Sequence, residues 1–131
     1  MKRPRRILVV EDDDTLRETI GEVMADDGHE IRLARNGHEA LEHLAGWEAE
    51  LVILDLMMPR MDAHEFRTVQ LREGIAPDAR ILVLSAAPDV ASAAEKLQAD
   101  AWVPKPFVLS GLIEVVDELL DRPRRPLSDS G

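Results

Sequence analysis

Short, unbroken apolar runs recur along the chain at Ile7–Val10, Leu51–Leu54 and Ile81–Leu84. Runs of this kind mark strands buried on both faces of a parallel sheet. Ile31–Ala34 is interrupted by Arg32, which suits a strand nearer an edge, and Ala101–Val103 predicts a short fifth strand. Between the strands the period changes. Leu16, Ile20, Val23 and Met24 fall at helical spacing behind two N-cap candidates, Asp13 and Asp14, and Leu109, Leu112, Ile113, Val116, Leu119 and Leu120 do so in a last helix. Further helices are predicted over 37–44, 62–72 and 89–98, with Asp62 as the cap of the third. The fourth is Ala-rich and thin in large apolar residues, offering Val90, Ala94 and Leu97. Five strand–helix units predict an α/β fold with an open, doubly wound parallel sheet and right-handed crossovers. Such sheets put their functional crevice at the carboxyl ends of the strands.

Length and charge narrow the picture. The chain has 131 residues, enough for one domain with a real core and too few for a second sizeable one. Residues 6–121 are expected to form the folded body, with 1–5 a short basic tail and 122–131 a disordered tail or linker stub, so that the chain stands alone or is a piece of something longer. Between Ile7 and Asp121 there are 9 basic and 25 acidic residues, while the other 7 of the 16 Lys and Arg lie near the termini. A body so negative is a poor surface for a phosphate backbone, and direct nucleic-acid binding is not expected. The terminal charge runs read as solvated and mobile. No apolar run approaches the roughly 20 residues of a membrane span, and Met1–Arg6 leads into only four apolar residues, too few for a signal peptide. A cytoplasmic location without membrane insertion is the expectation. Cysteine is absent, which removes disulfides and thiolate metal sites.

The chemistry lies at the strand ends. Glu11-Asp12-Asp13 follows the first strand, Asp55 opens Asp55-Leu56-Met57-Met58-Pro59-Arg60-Met61-Asp62 after the third, Ser85-Ala86 follows the fourth and Lys105-Pro106-Phe107 the fifth. Glu11, Asp12, Asp55, Ser85 and Lys105 can therefore converge although they span most of the chain. Carboxylates gathered at one locus repel one another unless they share a cation, and hard oxygen ligands with room for water suit Mg²⁺, or Mn²⁺ in its place. Taken singly, the motifs have plainer readings. Asp12–Asp14 alone reads as a helix cap, Lys105 as a loop lysine and Trp102 equally well as core. Asp55 resists such a reading, because it closes an apolar run with no helix to cap. His29, His38, His43 and His64 show no shared helical face and read as surface residues, with no metal cluster or catalytic base among them.

In the order and context of these four motifs, from about Arg6 to about Leu120, the chain resembles the receiver domain of bacterial two-component response regulators. The resemblance implies a flavodoxin-like sheet of strand order 2-1-3-4-5 with five helices. It implies that Asp55 accepts a phosphoryl group from a histidine kinase or histidine phosphotransfer protein. Asp12, Asp55 and the backbone carbonyl of Met57 match the direct Mg²⁺ ligands, Glu11 a ligand acting through water, and Lys105 the lysine that pairs with the phosphoryl group. Ser85 matches the switch hydroxyl and Trp102 the switch aromatic. Met57 and Ala87 match the positions that govern the lifetime of the acyl phosphate, and Lys105–Pro106 the cis peptide bond. Phosphorylation would remodel the face of the fourth helix, fifth strand and fifth helix, where family members dimerise or meet protein targets. Two departures stand out: Ala63 replaces the usual glycine after Met-Asp, and Gln98-Ala99 replaces Gly-Ala, costing backbone latitude wherever positive φ is needed. Two other readings compete. A haloacid-dehalogenase-like phosphohydrolase also uses Asp, Mg²⁺, Ser and Lys, but needs an acid where this chain has Met57. A degenerate receiver serving only as a protein-binding module is the other, although each chemical position holds a competent residue.

Overall fold

The computed structural model describes residues 3–58 and 61–121, so the expected 122–131 tail and the Pro59-Arg60 pair lie outside the described residues. The order is β1 (Arg6–Val10), α1 (Asp14–Asp26), β2 (Glu30–Ala34), α2 (Gly37–Leu44), β3 (Leu51–Asp55), α3 (Ala63–Glu73), β4 (Arg80–Ser85), α4 (Val90–Lys96), β5 (Ala101–Pro104) and α5 (Leu109–Asp121). The five parallel strands pair in the order β2-β1-β3-β4-β5. The unbroken apolar runs are explained by their position. Leu51, Val52, Ile53 and Leu54 of the central β3 are all fully buried, with alternate side chains entering the two cores on opposite faces of the sheet. One core holds Leu8, Val52, Leu54 and Val83 with Phe66 of α3. The other holds Ile7, Ile53 and Leu82 with Ile20 and Met24 of α1 and Leu112 and Val116 of α5. On β2, at an edge, Arg32 is exposed and lies over the Trp47 ring, 4.8 Å from its centroid.

Local chemistry sets the helix starts. Asp13 caps α1 by accepting from the Leu16 N–H at 2.8 Å, Asn36 caps α2 through the Glu39 N–H, and Asp62 caps α3 through the Glu65 N–H at 2.9 Å. Gly37 is required by a close approach: its N–H donates to the Met61 carbonyl at 3.1 Å, and a Cβ there would stand 2.7 Å from that oxygen. Met61, just ahead of α3, is thereby held against α2.

Several expectations are corrected. The fourth helix was expected to run over 89–98, but α4 covers only Val90–Lys96, because Gln98 turns into the left-handed region at φ 57. Of the two glycine replacements, only Gln98 carries this strain; Ala63 lies buried in the first turn of α3 and is not among the positive-φ residues. His29 is not a surface residue: it is 7% exposed, and its Nδ1 accepts from the Arg5 N–H at 3.1 Å. The basic amino-terminal residues are not simply solvated either, since Arg3 and Arg5 both pair with Glu50. Trp102 is not core, being 45% exposed on β5.

Gln98 gives a direct test of the stored strain. An L-residue in the left-handed region costs on the order of 1 kcal/mol that glycine does not. Gln98→Gly is expected to stabilise the protein by about 0.5–1 kcal/mol in urea unfolding, with an unchanged slope.

Candidate functional site

The sheet's strand order reverses between β1 and β3, and the residues that follow these strands face one another across the crevice. Glu11 leaves β1 fully buried. Its N–H donates to the Ala34 carbonyl at 3.0 Å, and its own carbonyl accepts from Arg17 Nη1 at 2.9 Å. Glu11 Oε2 accepts from the Asp13 N–H at 3.2 Å, so the side chain turns inward while Asp12 stays exposed. Asp55 ends β3 and is 3% exposed. One carboxylate oxygen from each of Glu11, Asp12 and Asp55 lies within 4.8 Å of the others.

Lys105 enters this group from the far side of the sheet. Its N–H donates to the Ser85 carbonyl at 2.8 Å, continuing the β4–β5 ladder one step beyond Pro104, and the next peptide bond, Lys105–Pro106, is cis. Its ammonium donates to Glu11 Oε1 at 2.8 Å and to Asp55 Oδ1 at 3.4 Å. Ser85 is buried at the end of β4, where its Oγ accepts from the Ala87 N–H at 2.9 Å and its own hydrogen is left to donate elsewhere. The Met57 N–H also donates to Asp55 Oδ1, at 3.4 Å, while the Met57 side chain is 70% exposed. Ala87 is half-buried. Trp102 does not join this group; it stands on the outermost strand, paired in register with Val83.

The charges are strongly coupled. Burial, hydrogen bonding with Asp12 and the negative charge of Glu11 push the Asp55 carboxyl up to about 8, against the pull of Lys105. For Asp12, burial acts upward, but hydrogen bonds with Asp55 and Glu11 and the charge of Lys105 outweigh it and lower the pKa. Burial likewise opposes the charge of Lys105, yet its bond to Glu11 and the charge of Asp55 leave its pKa raised. Three carboxylates within ligand distance of one another, one of them open to water, make a donor set that fits a hard divalent cation.

Sequence reasoning missed Arg17, which is 8% exposed and fixes the backbone of Glu11 while pairing with Asp14. The available signal was its place at i, i+3, i+7 with Ile20 and Met24, on the buried stripe of α1. A second group, Asp27, His29 and Asp117, also brings ligand atoms within 4.8 Å. Because the Arg5 N–H can only donate, His29 Nδ1 must accept, and the ring proton sits on Nε2, 3.7 Å from Asp27. That tautomer does not ligate a metal at Nε2, whose bound histidines donate from the other nitrogen.

The raised Asp55 pKa has a sign that can be checked. The folded protein holds a proton that the unfolded chain releases near the ordinary 3.8. This contribution to stability is complete below about pH 4 and is lost as pH rises through about 8. Without divalent cations, Asp55→Asn is expected to raise the melting temperature at pH 8 by several degrees and to flatten its fall between pH 5 and 8. Equal melting curves for parent and variant at pH 8 would contradict the coupling.

Comparison with known proteins identifies the family. The model of the response regulator receiver domain matches residues 7–117. The response regulator MprA of Mycolicibacterium vanbaalenii is 40% identical over 130 residues, covering 98% of this chain and 54% of that protein. MprA of Mycobacterium tuberculosis H37Rv is 40% identical over 119 residues, covering 89% and 51%. The chain thus spans about half the length of the curated relatives it matches. Among solved structures, the chemotaxis protein CheY4 of Vibrio cholerae superposes with a TM-score of 0.80 at 25% identity, covering 89% of this chain and 99% of that one. TrrA of Thermotoga maritima, solved in complex with Mg²⁺ and BeF, gives 0.77 at 36% identity, covering 88% and 98%. By sequence and by fold, the chain belongs to the response regulator receiver domain family.

Proposed function

We propose that Asp55 is the phosphoryl acceptor of this receiver, taking the group from a histidine kinase or a histidine phosphotransfer protein. The observation that carries the reading is the meeting of Glu11, Asp12, Asp55 and Lys105 within hydrogen-bond and ligand distance at the switch point of the sheet. In the transfer, an Asp55 carboxylate oxygen attacks phosphorus, the P–N bond of the phosphohistidine breaks, and the imidazole departs with the bonding pair and takes up a proton. Such a transfer needs positioning and charge neutralisation more than covalent help from the protein.

Glu11, Asp12, Asp55 and the Met57 carbonyl are the groups that would hold Mg²⁺ or Mn²⁺. Bound there, the cation would favour the ionised Asp55 and offset the negative charge arriving with the phosphoryl group. Lys105 Nζ, already 3.4 Å from Asp55 Oδ1, lies within reach of a phosphoryl oxygen on that carboxylate and pairs with it as a point charge. The Ser85 hydroxyl keeps its hydrogen available to a second phosphoryl oxygen while accepting from Ala87. Ser85 is therefore the link to α4, and the outward Trp102 lies on the α4-β5-α5 face that changes, where a protein target or a second copy of the chain would be met. Residues 6–121 form the receiver body. Among the described residues no helix is long and apolar enough to cross a membrane, in keeping with a cytoplasmic role. The reaction is stoichiometric modification followed by self-dephosphorylation, not turnover of a substrate.

Incubation with acetyl phosphate and Mg²⁺ is expected to add one phosphoryl mass to the intact protein. Asp55→Ala should abolish that addition and EDTA should suppress it; a full mass shift in Asp55→Ala would sink the assignment.

The lifetime of the acyl phosphate depends on whether a water can be positioned beside it. Neither Met57 nor Ala87 can hold such a water by a side-chain hydrogen bond, so the parent is expected to decay slowly to moderately. Met57→Asn should accelerate decay on the order of tenfold, less than full general-base catalysis, which is worth roughly 10²–10⁴. An unchanged decay rate would remove Met57 from this role.

A further inference from the structure

Arg67 lies on the buried face of α3 beside Ala63, Phe66 and Gln70, and is 8% exposed. The phosphoryl chemistry makes no use of it. Its guanidinium reaches out of its own helix to the end of another: Nε donates to the Leu97 carbonyl at 2.8 Å and Nη2 to the Gln98 carbonyl at 3.3 Å. Nη1 donates to Gln70 Oε1 at 2.7 Å, and Gln70 Nε2 in turn donates to the Ala76 carbonyl at 3.3 Å. Burial acts against the charge of Arg67, with Asp100 opposing that loss. A planar fork of donors is therefore spent on the carboxyl end of α4, where helix carbonyls have no partners of their own.

The two ends of α4 are built differently. At the carboxyl end the Gln98 N–H donates to the Glu95 carbonyl at 3.0 Å and the Ala99 N–H to the Ala94 carbonyl at 2.9 Å, the double bond pattern of a left-handed helix stop. Gln98 takes this stop at φ 57 without being glycine, and Arg67 grips the carbonyl of that same residue. Two residues on, Asp100 exchanges bonds with Ile81 of β4: its N–H donates to the Ile81 carbonyl and its Oδ2 accepts from the Ile81 N–H, both at 2.8 Å. At the amino end, Asp89 makes no side-chain capping bond, and Ala86, Pro88 and Asp89 are exposed. The side-chain hydrogen bond there is the Ala87 N–H to the Ser85 hydroxyl, beside the apolar packing of Val90 in the core.

We propose that Arg67 is a positioning residue of the switch: it holds the carboxyl end of α4 as a fixed pivot, so that displacement of Ser85 swings the amino end instead of shifting the helix bodily. The inference rests on the reading that phosphoryl capture engages Ser85. The helix acts as a lever of seven residues, pulled at Ala87 and pinned at Leu97 and Gln98. Partners that read α4 would then sense its tilt, and the surface near Gln98 and Asp100 would be common to both states.

Hydrogen exchange followed by mass spectrometry on the full chain, with Mg²⁺ and with or without beryllofluoride, tests the pivot. In the parent, beryllofluoride should change exchange at 86–92 and leave 95–99 as it was; equal changes in both segments would overturn the proposal. Protection of 56–58 by beryllofluoride serves as the control for binding, and its absence, with no phosphoryl mass gained, would reject the phosphoryl reading and the lever together. The pin is tested separately, without Mg²⁺ or the mimic. Arg67→Met should speed exchange at 97–99 by about tenfold or more relative to strand amides, with Arg67→Lys intermediate and folded. A merely structural arginine would raise exchange evenly across the domain. Unchanged exchange at 97–99 in Arg67→Lys, or a uniform rise, would overturn the pin even if Arg67→Met does not fold.

Discussion

Repulsion between carboxylates at the switch point is the constraint around which the rest of the structure is arranged. Glu11 and Asp55 are almost fully buried and Asp12 adjoins them, so their charges cannot be spread into water. Lys105 relieves part of this by reaching both buried acids, and the raised pKa of Asp55 accommodates the remainder as a retained proton. Glu11, longer than an aspartate by one methylene, holds the lysine more closely than Asp55 does. Its carboxylate meets Lys105 at 2.8 Å, closer than Asp55 at 3.4 Å, so the Asp55 carboxylate is held less closely by the lysine. A site left in this state favours the arrival of a cation and of a group with oxygens for the lysine and serine.

The scaffold holds this unfavourable gathering because its own interactions lie elsewhere. The strands bury their apolar runs in two separate cores, and the acidic residues begin one step beyond the last buried apolar side chain of β1 and at the last residue of β3. Arg17 fastens the turn after β1 from beneath, and Gly37 admits the Met61 carbonyl and so fastens the entry to α3. Electrostatic strain is thus confined to a few side chains on backbone that is fixed by packing and hydrogen bonds.

What the sequence disclosed followed from periodicity. Parallel strands buried on both faces leave continuous runs, and Leu51–Leu54 or Ile81–Leu84 could be placed almost to the residue. Helix caps with an oxygen three residues before an N–H, at Asp13 and Asp62, were equally visible. Features decided by distant contacts were hidden. His29 looks like a polar loop residue until the Arg5 backbone covers it. Arg17 and Arg67 look like surface arginines, although each occupies a buried stripe and spends its donors on backbone carbonyls. The expected end of α4 lies too far on because Leu97 and Gln98 suit a helix by composition, while Gln98 turns left-handed where Arg67 of α3 donates to its carbonyl. Trp102 was undecided between core and switch, and only its place on an edge strand turns it outward.

The bond from Lys105 to Glu11 spans 94 residues of chain and that to Asp55 spans 50. Contacts of such long range close late, because loop entropy must be lost before they return anything, and parallel sheets are slow for the same reason. A nascent chain therefore carries its acids long before it carries the lysine in place. On the proposed role of Lys105, competence to receive a phosphoryl group arises only when β5 has docked against β4, which makes the modification itself a report that this edge of the sheet has been completed.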